Sequence, residues 1–233
     1  MEATISIIAF TGAGISAASG IPTFEELGEG FRRSLSRNVF LADPDSFYNN
    51  VLKLKHACEK AMPNPAHLAL AQHGVPVITM NIDGLHRRAG TTDLIEIHGS
   101  MESVHCSRCH SEYPFSQVEQ GSRCPACGGL LLHDIVLYED QIPRLHEALA
   151  LVEGPGLAAS CSRLAASFGC CSPMQPSCSP IHPGTLLVIG TSFYTSTASY
   201  IVDHARAARQ EIVIINEKAE TEVPAFLNSR LPK

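Results

Sequence analysis

The sequence lacks any cluster of positive charge. Lys and Arg number 17 against 23 Asp and Glu, a formal net charge of −6, and basic residues meet only in pairs such as Arg32-Arg33 and Arg87-Arg88. Nucleic acid is held through its phosphates by grouped Lys and Arg, so it is set aside as a partner. Long apolar runs are missing too. A stretch such as Leu186 to Ile189 is far too short to span a bilayer, and no membrane partner is expected. The N-terminus has neither a basic start nor a small-residue cleavage site, so no secretory signal is read there. Without one, the nine cysteines imply reduced thiols and metal rather than disulfides. That places the protein in the cytoplasm, with the nucleus not excluded.

What is present is an alternation. Its 233 residues, 45% of them hydrophobic, suffice for one large domain with a small satellite. Apolar strands are expected at Ile5 to Phe10, "VPVITMN", "DLIEIHG", "HDIVLYED", "TLLVIGTS" and "EIVIINE". Helices are expected at "DPDSFYNNVLKLKHACEKA", capped by Asp43 or Asp45, at "NPAHLALAQHG", "IPRLHEALALVE" and "SYIVDHARAARQ". Strands that alternate with amphipathic helices predict an α/β fold: a Rossmann-like parallel sheet with helices on both faces. The large domain would comprise residues 1–100 and 131–233, interrupted by a small inserted zinc-ribbon module at 101–130. Residues 154–183, rich in Ser, Cys, Pro and Ala, read as a disordered insertion within the large domain, between two elements that a short loop normally joins.

Two Cys-x-x-Cys knuckles, Cys106/Cys109 and Cys124/Cys127, stand fourteen residues apart. This spacing fits one tetrahedral zinc, and four thiolates leave no position for water, so the metal is structural. Gly12-Ala13-Gly14-Ile15-Ser16-Ala17 follows a strand and opens a helix, where backbone N–H groups can meet a pyrophosphate. No acidic residue ends a second strand to hold a ribose; Asn216 or Glu217, at a late strand end, would do so instead. Asn81 and Asp83 offer an amide and a carboxylate past another strand, on their own also consistent with a simple Asx turn. His98 ends a further strand on the same rim and suits a general base.

In this order, GAGIS-x-x-SGIP-x-F, T-x-NIDGLH, a strand-end His-Gly, two knuckles, GTS and a strand-end Ile-Asn, the chain resembles the sirtuins, the Sir2-like NAD-dependent protein deacylases. The resemblance covers about residues 5–153 and 184–228. It implies NAD+ at the sheet rim, one structural Zn2+, and an acyl-lysine protein or peptide in the cleft between the modules. Cofactor contacts would come from Gly12, Ala13, Gly14, Ser16, Thr23, Phe24, Met80, Asn81, Ile82, Asp83, Gly190, Thr191, Ser192, Asn216 and Glu217. His98, Asn81 and Asp83 would be catalytic, with His98 the base. A flexible cofactor loop is implied over about Gly20 to Asn38. The products would be nicotinamide, free lysine and O-acyl-ADP-ribose, deacetylation being the leading form. ADP-ribosyl transfer to a protein and a catalytically impaired NAD-binding module remain the alternatives. The chain departs from the family's pattern at Glu25, Met80 and Glu139, where Arg, Gln and Gly are usual. Family members that remove acidic acyl groups carry a Tyr and, three residues later, an Arg. Here those positions hold Tyr48 and Val51, which implies a preference for neutral acyl groups.

Overall fold

Five strands form one parallel sheet in the computed structural model, which describes residues 6–23, 26–137, 140–154, 184–193 and 196–231. They are β1 (Ile7–Thr11), β2 (Val77–Thr79), β3 (Leu94–Glu96), β7 (Thr185–Ile189) and β8 (Glu211–Ile215), ordered β3-β2-β1-β7-β8. All five residues of β1 and of β7 are buried. A central strand covered on both faces reads as a continuous apolar run, which is why IIAFT and TLLVI carry no alternation. On one face, Ile7, Ala9 and Leu187 pack with α4 (Pro65–Gln72) and α8 (Ala219–Arg230). On the other, Ile8, Phe10 and Val188 pack with α6 (Leu145–Glu153) and α7 (Ser196–Ala207). The chain leaves β1 toward β2 and later returns to its other side at β7. The crevice between β1 and β7 is thus the switch point where such sheets take ligands.

The small lobe corrects the expected boundaries. Its antiparallel sheet, β5 (Glu112–Pro114), β4 (Ser103–Cys106) and β6 (Leu131–His133), extends past residue 130. Helices α1 (Glu29–Ser34), α2 (Arg37–Ala42) and α3 (Pro44–Lys60) lie N-terminal to the module in sequence. Yet Phe40 of α2 and Phe47, Tyr48, Val51 and Leu52 of α3 share one apolar cluster with Val104, Cys106, Phe115 and Leu131. Tyr48 donates to the Leu131 carbonyl at 2.7 Å, and the Ser122 N–H donates to Asp45 at 2.8 Å. The face of α3 that reads as core from spacing is therefore buried against the knuckle module as well as the cavity.

Local signals account for the helix starts. Asp43 accepts from the Ser46 N–H at 3.0 Å with Pro44 in the first turn, and Asn64 does the same for α4 with Pro65. Among its described residues, the strand expected over "HDIVLYED" does not form in the main sheet. Its start belongs to β6, and beyond it Val136 donates to the His98 carbonyl at 2.9 Å. Gly99, at φ +76°, lets this segment cross, since a Cβ there would lie 2.7 Å from the Asp134 carbonyl carbon. The stretch from about Gly20 to Asn38, for which the resemblance implies a flexible loop, holds α1 and the start of α2, and α8 carries no named expectation from the sequence. The insertion at 155–183, Phe24, Glu25 and Glu139 lie outside the described residues.

Three histidines with buried ring nitrogens resist protonation. Burial pushes His67 to about 4, His86 to about 3 and His133 to about 4, each from an ordinary 6.5. The unfolded chain takes up these protons near pH 6.5 and the folded chain does not. Stability is thus complete above that pH and is lost as pH falls toward 4. His133 lies flat on Phe47, with ring centroids 4.9 Å apart, and edge-on to Phe40 at 4.7 Å. His133→Phe should keep the packing and remove about 2 kcal/mol of the destabilisation between pH 7.5 and pH 5. Urea midpoints at the two pH values measure this, and an unchanged difference would exclude His133 from the effect.

Candidate active site

A cavity of about 840 Å3 runs along the C-terminal ends of β1, β2 and β7. Its floor is built by three glycines. Gly14 donates its N–H to the Gly190 carbonyl at 2.9 Å, and Gly12 donates to Ile189 at 3.0 Å. A Cβ on Gly12 would sit 2.8 Å from the Gly190 carbonyl oxygen, and one on Gly14 would sit 2.7 Å from the Gly190 Cα. Gly190 itself has φ +60°. These two N–H groups are spent on the neighbouring strand end, so the glycines bring the two loops together. The helix expected after them is a seven-residue 3-10 helix, Ala13–Ser19, and not an α-helix.

A polar network fixes the next wall. The Asn81 amide donates to the Gly12 carbonyl at 3.1 Å and to Ser16 Oγ at 3.2 Å. Ser16 donates to Asp83 at 2.7 Å, and the other Asp83 oxygen accepts the Leu85 N–H at 2.8 Å. Asn81 and Asp83 are thus joined through Ser16, a residue 65 and 67 positions distant in sequence. Behind them, His67 Nε2 lies 3.5 Å from Ser16 Oγ and His86 Nε2 lies 3.0 Å from Thr11 Oγ1. Sequence reasoning missed this second layer. His67 sits among apolar helical neighbours, and His86, though it closes the T-x-NIDGLH motif, has a partner in Thr11 that no spacing signal marks.

His98 lines the cavity from the end of β3. Burial lowers its pKa below 6.5, and a hydrogen bond to the Met80 backbone opposes that shift. The ring is therefore neutral at pH 7 and able to accept a proton. Thr191 and Asn216 form a two-point clamp: the Thr191 N–H donates to Asn216 Oδ1 at 2.9 Å, and Asn216 Nδ2 donates to the Thr191 carbonyl at 3.0 Å. Ala13, Thr23, Met80, Ile82 and Ser192 also line the cavity, whereas Glu217 is exposed and lies off it. Phe193 is a lining residue that the sequence did not mark; its φ of +56° is unusual for a residue with a Cβ.

The apolar wall comes from Phe47, Val51, Leu54 and Cys58 of α3, facing Ile135 and Leu137. Tyr48 points elsewhere, buried and bonded to Leu131, so the Tyr48–Val51 pair does not face the cavity as a unit. Val51 alone does. In the small lobe, the Sγ atoms of Cys106, Cys109, Cys124 and Cys127 all lie within 4.8 Å of one another. Cys106–Cys127 and Cys109–Cys124 are 3.4 and 3.7 Å apart. A tetrahedron with Zn–S bonds of about 2.3 Å has edges of about 3.8 Å, so the donor set fits zinc. No helix among the described residues is long and apolar enough to cross a membrane.

The Sir2 family model matches residues 12–155, from the glycine turn through the knuckles to the end of α6. This chain belongs to the Sir2 family. It is 30% identical over 93% of its length to an NAD-dependent protein deacetylase of Staphylococcus aureus, covering 84% of that protein. It is 41% identical to an NAD-dependent protein deacetylase of Caldivirga maquilingensis, over 62% of each chain. The match therefore spans less than two thirds of that relative's length. A solved Sir2 enzyme structure superposes with a TM-score of 0.73 at 28% identity, covering 97% of this chain and 92% of the other. The fold expected from the sequence, a parallel sheet with helices and a four-cysteine module, is the Sir2 fold.

Proposed function

We infer that the protein is an NAD-dependent protein-lysine deacylase, acting on acyl-lysine proteins or peptides. One observation carries this reading. Asn81, Asp83 and His98 converge on a single cavity at the sheet's switch point, beside the Gly12-Gly14-Gly190 turn. The relatives in Staphylococcus aureus and Caldivirga maquilingensis, both named as NAD-dependent protein deacetylases, support it. NAD+ would supply the ribose carbon that accepts the acyl oxygen, and nicotinamide as the leaving group. Gly12, Ala13, Gly14, Ser16, Thr23, Gly190, Thr191, Ser192 and Asn216 would hold it, and Asn81, Ile82 and Asp83 would enclose its nicotinamide end. Ser16 keeps the Asn81 amide and the Asp83 carboxylate oriented, so neither reorganises on binding. His98 accepts a proton, and the apolar wall excludes water. Zinc would sit on the four cysteines with its coordination closed, outside the chemistry. The cytoplasm suits these reduced thiols.

The test is nicotinamide release with NAD and an acetyl-lysine peptide. O-acetyl-ADP-ribose as product supports deacylation; ADP-ribosylated protein would replace the reading with ADP-ribosyl transfer. Acyl choice is a further expected outcome. Among the described residues no Lys or Arg lines the cavity. Arg37 is paired with Asp140 at 2.6 Å, and Lys53 with Asn50 at 3.2 Å. A buried carboxylate without a cation costs several kcal/mol, so kcat/KM on a succinyl-lysine peptide should fall about 100-fold or more below that on the acetyl peptide. Equal rates would sink the idea, and Val51→Arg should narrow the gap.

A further inference from the structure

Arg88 ends the short helix α5 (Leu85–Arg88), which starts directly after the Asn81–Gly84 loop. Its guanidinium meets the C-terminal end of α3. Nη2 donates to the Cys58 carbonyl at 2.7 Å, and Nη1 donates to the Ala61 carbonyl at 2.8 Å and to the Glu59 carbonyl at 3.4 Å. The last carbonyls of a helix have no partner within it and carry the negative end of its dipole. A planar cationic fork suits them better than any other side chain. Helix α3 is thus held along its apolar face by the small-lobe cluster, Cys58 included, and its last turn is tied in addition by Arg88.

Cys58, whose carbonyl Arg88 holds, is also part of the cavity wall. A second cavity, of about 330 Å3, sits behind the first, and Arg88 lines it. Cys58, Ile82 and Asp83 line both cavities. A single layer of side chains therefore separates the two. That layer comes from the end of α3 and from the loop before α5, the two segments that Arg88 joins.

We propose that Arg88 is a positioning residue whose tether sets the gap between α3 and the Asn81–Asp83 loop and so closes the wall behind the nicotinamide end of the site. It touches neither substrate nor the reacting atoms. Without the tether the two cavities run together, and the Ile82–Asp83 edge loses its backing. The catalytic consequence rests on the deacylase reading; the tether itself does not.

Two readouts test it. In the first, Cys58 is labelled by a small maleimide and followed on its own peptide by mass spectrometry. Its side chain is buried in the wall, only 3% exposed, so labelling of the native protein should be slow. Arg88→Ala should label at least tenfold faster at unchanged urea midpoint, and Arg88→Lys should fall between. In the second, the inhibition constant for nicotinamide should rise at least fivefold in Arg88→Ala, with kcat lowered less than twofold. Unchanged labelling in folded Arg88→Ala overturns the tether. Faster labelling with an unchanged nicotinamide constant overturns the positioning role. Should Arg88→Ala not fold, Arg88→Lys carries both readouts, since it keeps the charge and loses the fork: labelling and the nicotinamide constant should each rise about two- to threefold, and labelling unchanged from wild type overturns the tether. A wild-type protein that releases no nicotinamide counts against the deacylase reading alone, because the labelling comparison needs no turnover.

Discussion

Cys124→Ala is expected to lose the metal and the order of the small lobe together. Structural zinc sites of this type contribute on the order of 10 kcal/mol of folding free energy. This exceeds what the three-stranded sheet alone can offer, with strands of three, four and three residues. Two of the four ligands, Cys106 and Cys124, belong to the same buried cluster as Phe40, Phe47, Tyr48 and Val51. Unfolding the knuckles would therefore free α3, and with it the Phe47 and Val51 wall of the cavity. Zinc content by elemental analysis should fall from one per chain to near zero, and near-ultraviolet circular dichroism should weaken. A chelator strong enough to strip the wild-type protein should reproduce both changes. A metal-free Cys124→Ala protein with intact near-ultraviolet signal would show that the lobe stands without its metal.

His98→Ala should lower kcat about 100- to 10,000-fold and leave NAD affinity within about threefold. A positioned base acts on the transition state, and its removal does not touch ground-state binding. The cavity's other walls, including the Asn81–Ser16–Asp83 network, do not pass through His98. The pH dependence follows from the same geometry. Burial holds the ring's pKa below 6.5, so the neutral form persists at mildly acid pH. Activity should decline only as pH falls through that lowered value, not at 6.5. Calorimetric NAD binding beside single-turnover rates separates the two effects. Near-normal turnover in His98→Ala would remove the residue from the mechanism, and loss of NAD binding would make it a structural group.

The sequence by itself determined the central strands, two helix caps and the spacing that brings four cysteines together. Ile7–Thr11 and Thr185–Ile189 are buried on both faces, and strands of a parallel sheet covered by helices carry such unbroken apolar runs. Asp43 and Asn64 cap their helices through local contacts, which lie within three residues. The four cysteines sit at a spacing that tetrahedral coordination dictates. Each of these is a short-range or compositional constraint, so it is legible in the order of residues.

Only the tertiary structure decided how these parts meet. Nothing in α3's pattern says that its stripe divides between a cavity and a zinc module, because a periodic apolar face does not name its partner. Nothing in "GAGIS" says that Ser16 joins Asn81 to Asp83, or that the Gly12 and Gly14 N–H groups are already spent on Ile189 and Gly190. Those bonds span more than sixty residues, and they exist because β1, β2 and β7 end on one rim. The same distance separates Arg88 from the sense that spacing could give it. Its acceptors are backbone carbonyls about thirty positions earlier, and backbone carbonyls leave no mark in a sequence.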